Sequence, residues 1–261
     1  MMNKIFNLRR FSKVLVKDLK EYYSKYGLSI FVFVGCYFGW WLICTIIDEG
    51  VTMNERANFM HFIAIICIII APFKLYGDVN KQKEGVSFAI LPASSLEKLV
   101  SMMINCIVVT PILIYGLTYI TDLVLSLLPF GEFSGSLQFE FNHTEKYLLG
   151  MVFFSSIFTF GNVLFQKRKA SKTILSVMFF AFLFITIYGK IVVKHYLSPG
   201  ELELYLDSYK AIKVNSSSIN MLGPSYERFI QVTKNIFYVV LYTVPVLMYI
   251  GTFLKIKTQK Y

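Results

Sequence analysis

The residues of this sequence that could do chemistry are few, and they form no known catalytic pattern. The three histidines, His61, His143 and His195, are widely separated, and none lies in the H-E-x-x-H pattern of a zinc metalloprotease. Ser155 and Ser156 lie in an apolar stretch without the glycine-rich turn and the histidine partner that an intramembrane serine protease needs. The sequence therefore predicts no catalytic residue and no metal ligand, and we expect that the chain is not an enzyme.

Cofactor-binding patterns are missing from the sequence as well. There is no G-x-x-x-x-G-K-[S/T] phosphate loop, so any ATP and magnesium that the protein uses would be held by another chain. The cysteines show no metal-ligand spacing such as C-x-x-C, and all of them lie in apolar stretches. We interpret them as small buried hydrophobic residues. They are Cys36, Cys44, Cys67 and Cys106.

A few polar residues lie within or beside the apolar stretches. Ionisable groups in the middle of a membrane are costly and are kept there for function. Asp122 and Lys190 lie near one end of their stretches and Lys74 near the opposite end, so we interpret all three as interfacial or snorkelling residues. Asn105 and Asn162 are the deepest polar residues. Hydrogen bonding between helices is their expected role, with contact to a substrate as the alternative.

The composition of the chain is that of a membrane protein. It has 261 residues, of which 56% are hydrophobic and 16% charged, whereas a soluble domain has about 45–50% apolar and about 25% charged residues. Many of the aromatic residues lie at the ends of apolar stretches, where tyrosine and tryptophan settle at a lipid interface. The net charge of +10 comes from lysines and arginines that flank these stretches, which argues for membrane topology and against nucleic-acid binding.

Six apolar stretches are long enough to cross a bilayer, which takes about 20 residues of α-helix. They are residues 28–47, 59–76, 99–128, 147–165, 173–193 and 236–254. Lipid offers the backbone no hydrogen-bond partner, so each stretch must pair its own amide groups as a helix. The sequence predicts an all-α fold with a transmembrane domain of six helices over residues 28–256.

Lysine and arginine alternate between the segments that connect the spans. They are abundant before span one, after spans two and four, and at the C-terminus, and scarce between spans one and two and between spans three and four. Positive charge stays on the cytoplasmic side. We therefore expect both termini, including the tail 257–261, in the cytoplasm. Residues 194–233 form a longer outer loop, in which Ser198 and Glu201 have capping-box spacing and predict a short outer helix.

Residues 1–27 carry a basic amphipathic pattern ahead of span one. Apolar side chains recur at helical spacing, at Leu8, Phe11, Leu15, Leu19, Tyr22 and Tyr26. Basic side chains occupy most of the remaining positions, at Arg9, Arg10, Lys13, Lys17 and Lys20. The pattern predicts a helix in the inner headgroup plane, serving either as an elbow helix that meets a cytoplasmic partner or as a plain interfacial anchor.

The inner loop 77–98 contains a helix start and an apolar segment. Ser94 and Glu97 have the spacing of a capping box, and Pro92 stops any preceding helix, so helix three should begin near Ser95. The preceding apolar side chains need lipid or a partner protein to cover them. They are Val86, Phe88, Ile90 and Leu91.

This loop resembles a known family. A charged, glycine-containing cytoplasmic segment that runs into Leu-Pro-Ala-Ser-Ser-Leu-Glu-Lys at 91–98 is similar to permease subunits of type-2 ABC transporters, most of all to the divergent branch found in Bacteroidetes-like bacteria. The predicted layout of the whole chain is similar too. The resemblance implies that the inner loop docks on a separate ATPase subunit. The implied coupling residues are Lys83, Glu84, Phe88, Leu91, Pro92, Ser94, Glu97 and Lys98.

The resemblance further implies that the elbow helix contributes to coupling and that 198–224 corresponds to the family's outer re-entrant helices. The implied elbow residues are Phe11, Lys13, Leu15 and Lys17. The chain would then be the permease subunit of an exporter in a bacterial inner membrane. It would pair with a second permease subunit, identical or not, and with cytoplasmic ATPase subunits that hold ATP and magnesium. The alternative is a six-span membrane scaffold, or an immunity protein, that transports nothing.

Overall fold

A computed structural model describes residues 6–47, 52–81, 85, 88, 90–127, 144–193 and 223–258, and this part of the chain is helical almost throughout, with no β-strand. The α-helices are α1 (Leu8–Tyr22), α2 (Leu28–Ile47), α3 (Met53–Leu75), α4 (Ser95–Met103), α5 (Thr110–Ser126), α6 (Thr144–Leu164), α7 (Lys169–Tyr188) and α8 (Gly223–Thr258). Short π-helical segments cover Tyr23–Gly27, Ile104–Val109 and Gly189–Val193. The all-α prediction is confirmed.

Within the described ranges, six helices are long and apolar enough to cross a membrane, as the sequence predicts. They cover Leu8–Cys44, Glu55–Leu75, Ser95–Ser126, Tyr147–Leu164, Lys169–Val192 and Arg228–Thr258. The predicted outer helix after Ser198 lies outside the described residues.

The amphipathic segment and span one form a continuous helical run. Asn7 caps α1, its side chain accepting from the backbone amides of Arg9 and Arg10. The residues that join α1 to the π-helical segment Tyr23–Gly27, and that segment to α2, keep right-handed helical backbone angles. At 1.5 Å per residue the run Leu8–Ile47 is about 60 Å long, roughly twice the thickness of a hydrocarbon core.

The third span also contains a π-helical segment, Ile104–Val109, just before Pro111. Proline donates no backbone hydrogen bond, and its ring crowds the preceding turn. The π-helical turn ends just before Pro111, which sits at the start of α5.

The described residues fall into two compact units. Unit 1 contains Met1–Thr173 and Val244–Tyr261, and unit 2 contains Ile174–Thr243. In unit 1, α2, α3, α5 and α6 pack around a core in which Tyr26, Tyr37, Cys67 and Cys106 are fully buried. Cys67 and Cys106 thus confirm the interpretation of the cysteines as buried residues, whereas Cys36 is exposed and Cys44 is half-buried. Cys36 lies on an apolar helix surface suited to lipid, so sequence hydropathy did not distinguish it from the buried cysteines.

Unit 2 has a small core of its own. Val192 and Phe229 are buried against Tyr188, Val232 and Ile236. The Tyr188 hydroxyl is hydrogen-bonded to that of Thr233. Most other large side chains of α7 are exposed, Phe180 and Phe182 by 67% each. Such surfaces suit lipid or another apolar protein.

Candidate functional site

The N-terminal helix and the start of helix three, which the resemblance links to coupling, meet in unit 1. Helix α1 packs along α4, and the contact is fixed by Glu97, whose side chain is fully buried. One Glu97 carboxylate oxygen, Oε1, accepts from the backbone amide of Asn7 at 2.6 Å and from Arg10 Nη2 at 3.1 Å. The other, Oε2, accepts from the amide of Ser94 at 2.8 Å. We call these four residues the Glu97 junction.

The Glu97 junction contains the predicted capping box. The Ser94 hydroxyl accepts from the Glu97 amide at 3.2 Å, while the Glu97 side chain accepts from the Ser94 amide. Helix α4 begins at Ser95, as predicted. A capping box needs only one carboxylate oxygen. The second oxygen binds a segment about ninety residues earlier in the chain, and so joins α1 to α4.

Part of the apolar segment of the inner loop is covered by the chain itself, and Val86 lies outside the described residues. Phe88 is buried in the core of unit 1, and Leu91 packs against that core. The Lys98 ammonium donates to the Phe88 carbonyl at 2.6 Å and lies 4.9 Å from the centre of the Phe88 ring. The expectation that Phe88 needs an outside surface is therefore wrong. Ile90, 74% exposed, and the exposed Pro92 still present such a surface.

Two of the implied coupling residues, Lys83 and Glu84, lie outside the described residues. Of the implied elbow residues, Lys13 is exposed, and Phe11 and Leu15 are half-buried. Lys17 forms an ion pair with Glu21 at 3.0 Å. The structure therefore brings the elbow helix and Glu97 together, and leaves Lys13 facing outward.

The surface of α1 divides into three sectors, where the sequence pattern predicted two. The sector against the rest of unit 1 contains Val14, Asp18 and Tyr22. The exposed apolar sector contains Leu8, Val16 and Leu19, and Tyr23 extends it just beyond the end of α1. The exposed basic sector contains Arg9, Lys13 and Lys20. The predicted apolar face is thus divided, because α1 packs through Val14, Asp18 and Tyr22 and leaves Leu8 and Leu19 outside.

Asp18 is a buried polar residue that the amphipathic pattern of α1 did not predict. Its Oδ2 accepts from Ser101 Oγ at 2.6 Å and from the Tyr76 hydroxyl at 3.1 Å. Asn105 Nδ2 in turn donates to the Tyr76 hydroxyl at 2.7 Å. Helical spacing could have predicted its burial, because Asp18 lies four residues from both Val14 and Tyr22 and so shares their face of the helix. A small cavity beside Asp18 is lined by side chains of both charges, among them Lys17, Glu21, Lys25 and Asp78.

The two deep asparagines bond neighbouring helices, as predicted. Asn105 reaches Tyr76 at the end of α3. Asn162 Nδ2 donates to the carbonyl oxygens of Pro72 at 3.0 Å and Tyr76 at 2.9 Å. The Pro72 carbonyl also accepts from the Tyr76 backbone amide, whereas the carbonyl of Tyr76 lies at the helix end, where carbonyls lack partners within the helix. Asn162 therefore caps the end of α3 from α6, and Lys169 adds a further hydrogen bond to the Gly77 carbonyl.

Replacing Asn162 with leucine should lower the free energy of unfolding by about 1 kcal/mol, the range measured for polar contacts between membrane helices. The substitution removes the donor from the Tyr76 carbonyl and leaves the Pro72 carbonyl with the Tyr76 amide as its remaining donor. Unfolding of the purified protein in detergent measures the loss. Asn235→Leu, at an exposed position, is the control and should lose nothing. Equal stability of the two variants would contradict the capping role.

The end of unit 1 away from the Glu97 junction contains a buried ion pair. Arg56 Nη1 lies 3.2 Å from each carboxylate oxygen of Asp122, and the two side chains are 0% and 1% exposed. Tyr37 donates to Asp122 Oδ1 at 2.8 Å. The interpretation of Asp122 as a snorkelling or interfacial residue is therefore wrong. Arg56 precedes the predicted second span, 59–76, yet its side chain lies inside the bundle and pairs with Asp122.

No group of three or more His, Cys, Asp or Glu side chains that could hold a metal ion occurs among the described residues. No known family model matches the sequence, and no curated protein or solved structure matches the chain. The assignment of this chain to a class of proteins therefore depends on its helices. With six helices long and apolar enough to span a membrane, the chain is a helical multi-pass membrane protein.

Proposed function

We propose that this protein is the permease subunit of an ABC exporter, oriented in a bacterial inner membrane with both termini in the cytoplasm. It pairs with a second permease subunit and with cytoplasmic ATPase subunits, which bind ATP and magnesium. The observation that carries the proposal is the Glu97 junction. It binds an exposed basic helix to the helix that follows an exposed apolar loop end, at the end of the bundle that positive charge assigns to the cytoplasm.

The surface offered to the ATPase consists of Ile90 and Pro92 together with the outward side of α1. We call it the docking surface. Ile90 is a large apolar side chain on a short loop, and α1 contributes the exposed basic residues Arg9 and Lys13. A partner with an apolar notch bordered by carboxylates would be complementary to it.

A push on the docking surface has a continuous path into the membrane. From Ser95 the helical run passes through α4, the π-helical segment Ile104–Val109 and α5 to Ser126 without a break. Through Glu97 the same push moves α1, which continues into α2. ATP-driven closure of the ATPases would in this way tilt spans one and three together, while the substrate passes between the two permease subunits.

The test is affinity purification of the tagged protein from its own membranes in mild detergent, with mass spectrometry of the proteins that accompany it. We expect a stoichiometric ATPase subunit with the wild-type chain and its loss with Ile90→Asp. Phe88→Asp is unsuitable for this purpose, because Phe88 is a core residue and its replacement disturbs the fold. Thermal unfolding of Ile90→Asp should match that of the wild type, since Ile90 is 74% exposed.

Leu8→Asp separates the two interpretations of the N-terminal helix, because Leu8 is exposed to the same extent as Ile90, by 74%. Loss of the ATPase with Leu8→Asp identifies α1 as part of the docking surface, and its retention identifies α1 as a plain anchor. If no ATPase accompanies even the wild-type chain, transport is ruled out in favour of a membrane scaffold or an immunity protein.

A further inference from the structure

The buried charges at the far end of unit 1 connect three different spans. Tyr37 belongs to α2, Arg56 to α3 and Asp122 to α5. Asp122 receives hydrogen bonds from both of the other residues, at 2.8 Å from Tyr37 and 3.2 Å from Arg56. We call this end of unit 1 the Arg56 end. Each of its three helices is therefore held there by a contact to an ionised side chain.

This ion pair is more deeply buried than those of Arg10, Lys17, Lys25 and Lys81. Each of those pairs includes at least one side chain that is 35–48% exposed, so water screens them. Arg56 and Asp122 are at most 1% exposed. An unpaired charge is very costly in an apolar interior, so neither residue can lose its partner unless water or another charge replaces it.

The consequence is an arrangement with two stable states. When the helix ends are together and dry, the charges satisfy each other. When the ends separate far enough for water to enter, both charges become hydrated. Intermediate separations leave unpaired charge without water and are unfavourable. Packed interfaces with this property switch between discrete states and do not deform gradually.

We infer that Tyr37, Arg56 and Asp122 form a latch that holds spans one, two and three together at the Arg56 end and that opens as a unit when water enters there. The latch concerns contacts within this chain alone. It can therefore be tested without the ATPase, and it stands or falls independently of the proposed transport function.

The native cysteines report on the latch. Cys44 is half-buried and lies about two helical turns beyond Tyr37, toward the Arg56 end. Cys67 and Cys106 are buried in the core of unit 1, close to Tyr26 and Tyr22 near the opposite end. The experiment is labelling with a water-soluble maleimide of the full chain in lipid nanodiscs, with the rate at each cysteine followed by mass spectrometry.

Asp122→Asn keeps the shape of the side chain and removes its charge. We expect labelling of Cys44 to accelerate about tenfold, because local opening exposes one region while the rest stays protected. Cys67 and Cys106 should keep their wild-type rates. The exchanged pair Arg56→Asp with Asp122→Arg restores opposite charges, and should bring the Cys44 rate back toward that of the wild type.

Two results would overturn the inference. Equal acceleration at Cys44, Cys67 and Cys106 would mean that the pair stabilises the whole fold and no local latch exists. Unchanged labelling at Cys44 would mean that these ends stay closed without the charge. If Asp122→Asn does not fold, Tyr37→Phe decides by the same measurement, because it keeps the ion pair and removes one hydrogen bond. It should accelerate Cys44 labelling alone, by a smaller factor.

Discussion

Replacing Glu97 with alanine should release α1 from α4 and lower the free energy of unfolding by about 3 kcal/mol. The buried carboxylate accepts three hydrogen bonds, from the amides of Asn7 and Ser94 and from Arg10 Nη2. Alanine leaves both amides without this acceptor. A lost helix cap costs about 1 kcal/mol, and a lost hydrogen bond to a charged group about 1.5–3 kcal/mol.

The chain contains a matched control for this substitution. Thr52 and Glu55 form a second capping box, at the start of α3, with the same reciprocal hydrogen bonds. Glu55 is exposed. Glu55→Ala therefore removes a cap alone, and its effect should be clearly smaller than that of Glu97→Ala. Glu97→Gln should fall between them, since an amide has one acceptor oxygen for two backbone donors.

Limited proteolysis shows where the Glu97→Ala variant comes apart. Trypsin should cut at Arg9, Arg10 and Lys13 faster than in the wild type, because α1 is no longer held against α4. Cleavage sites on other helices should change little at temperatures below global unfolding. If the N-terminal sites stay as resistant to trypsin as in the wild type, Val14, Asp18 and Tyr22 hold α1 in place without Glu97. The Glu97 junction would then not fix α1 to α4.

The sequence predicts those parts of the structure that depend on neighbouring residues. Hydropathy predicted six spans because the ability of a stretch to cross lipid depends on the length and apolar character of that stretch alone. The capping box at Ser94 predicted the start of α4 because its two hydrogen bonds lie within one helical turn. What Glu97 does with its other oxygen depends on Asn7, ninety residues away, and a local pattern carries no signal for that.

The same limit explains the error at Asp122. A charged residue near the end of an apolar stretch is expected at the interface unless a partner is known, and Arg56 is separated from it by 66 residues. The sequence pattern also predicted two sectors on the surface of α1, whereas the structure has three. Amphipathic patterning separates apolar from charged side chains, but it does not distinguish apolar residues that face protein from those that face outward, such as Leu8.

A second large effect is expected where α6 and α7 touch. Gly161→Ala should lower the free energy of unfolding by about 2 kcal/mol, a typical cost for overpacking a tight contact. A Cβ at Gly161 would lie 2.1 Å from Thr173 Oγ1 and 2.4 Å from Thr173 Cγ2. Rotation of the threonine side chain exchanges these atoms and brings no relief, because Thr173 Cβ itself would be 2.8 Å away.

The helix supplies its own control at Gly150, where an added Cβ meets nothing within 4 Å. Gly150→Ala should be neutral or slightly stabilising, because alanine is the better helix former by up to about 1 kcal/mol. Both variants are compared by unfolding in the same detergent. A loss at Gly161 no larger than at Gly150 would show that α6 and α7 move apart freely at this point.

A double-mutant cycle assigns the loss to the Gly161–Thr173 contact. In a Thr173→Gly background the three clashing atoms are gone, so Gly161→Ala should not change the free energy of unfolding, even though Thr173→Gly is itself destabilising.

The contact between Gly161 and Thr173 also positions Asn162. It lies next to Asn162 in the chain, and the close approach at Gly161 fixes α6 in the register from which Asn162 reaches the carbonyls of Pro72 and Tyr76. Gly161→Ala should therefore reduce the additional effect of Asn162→Leu, because a displaced α6 has already lengthened those hydrogen bonds.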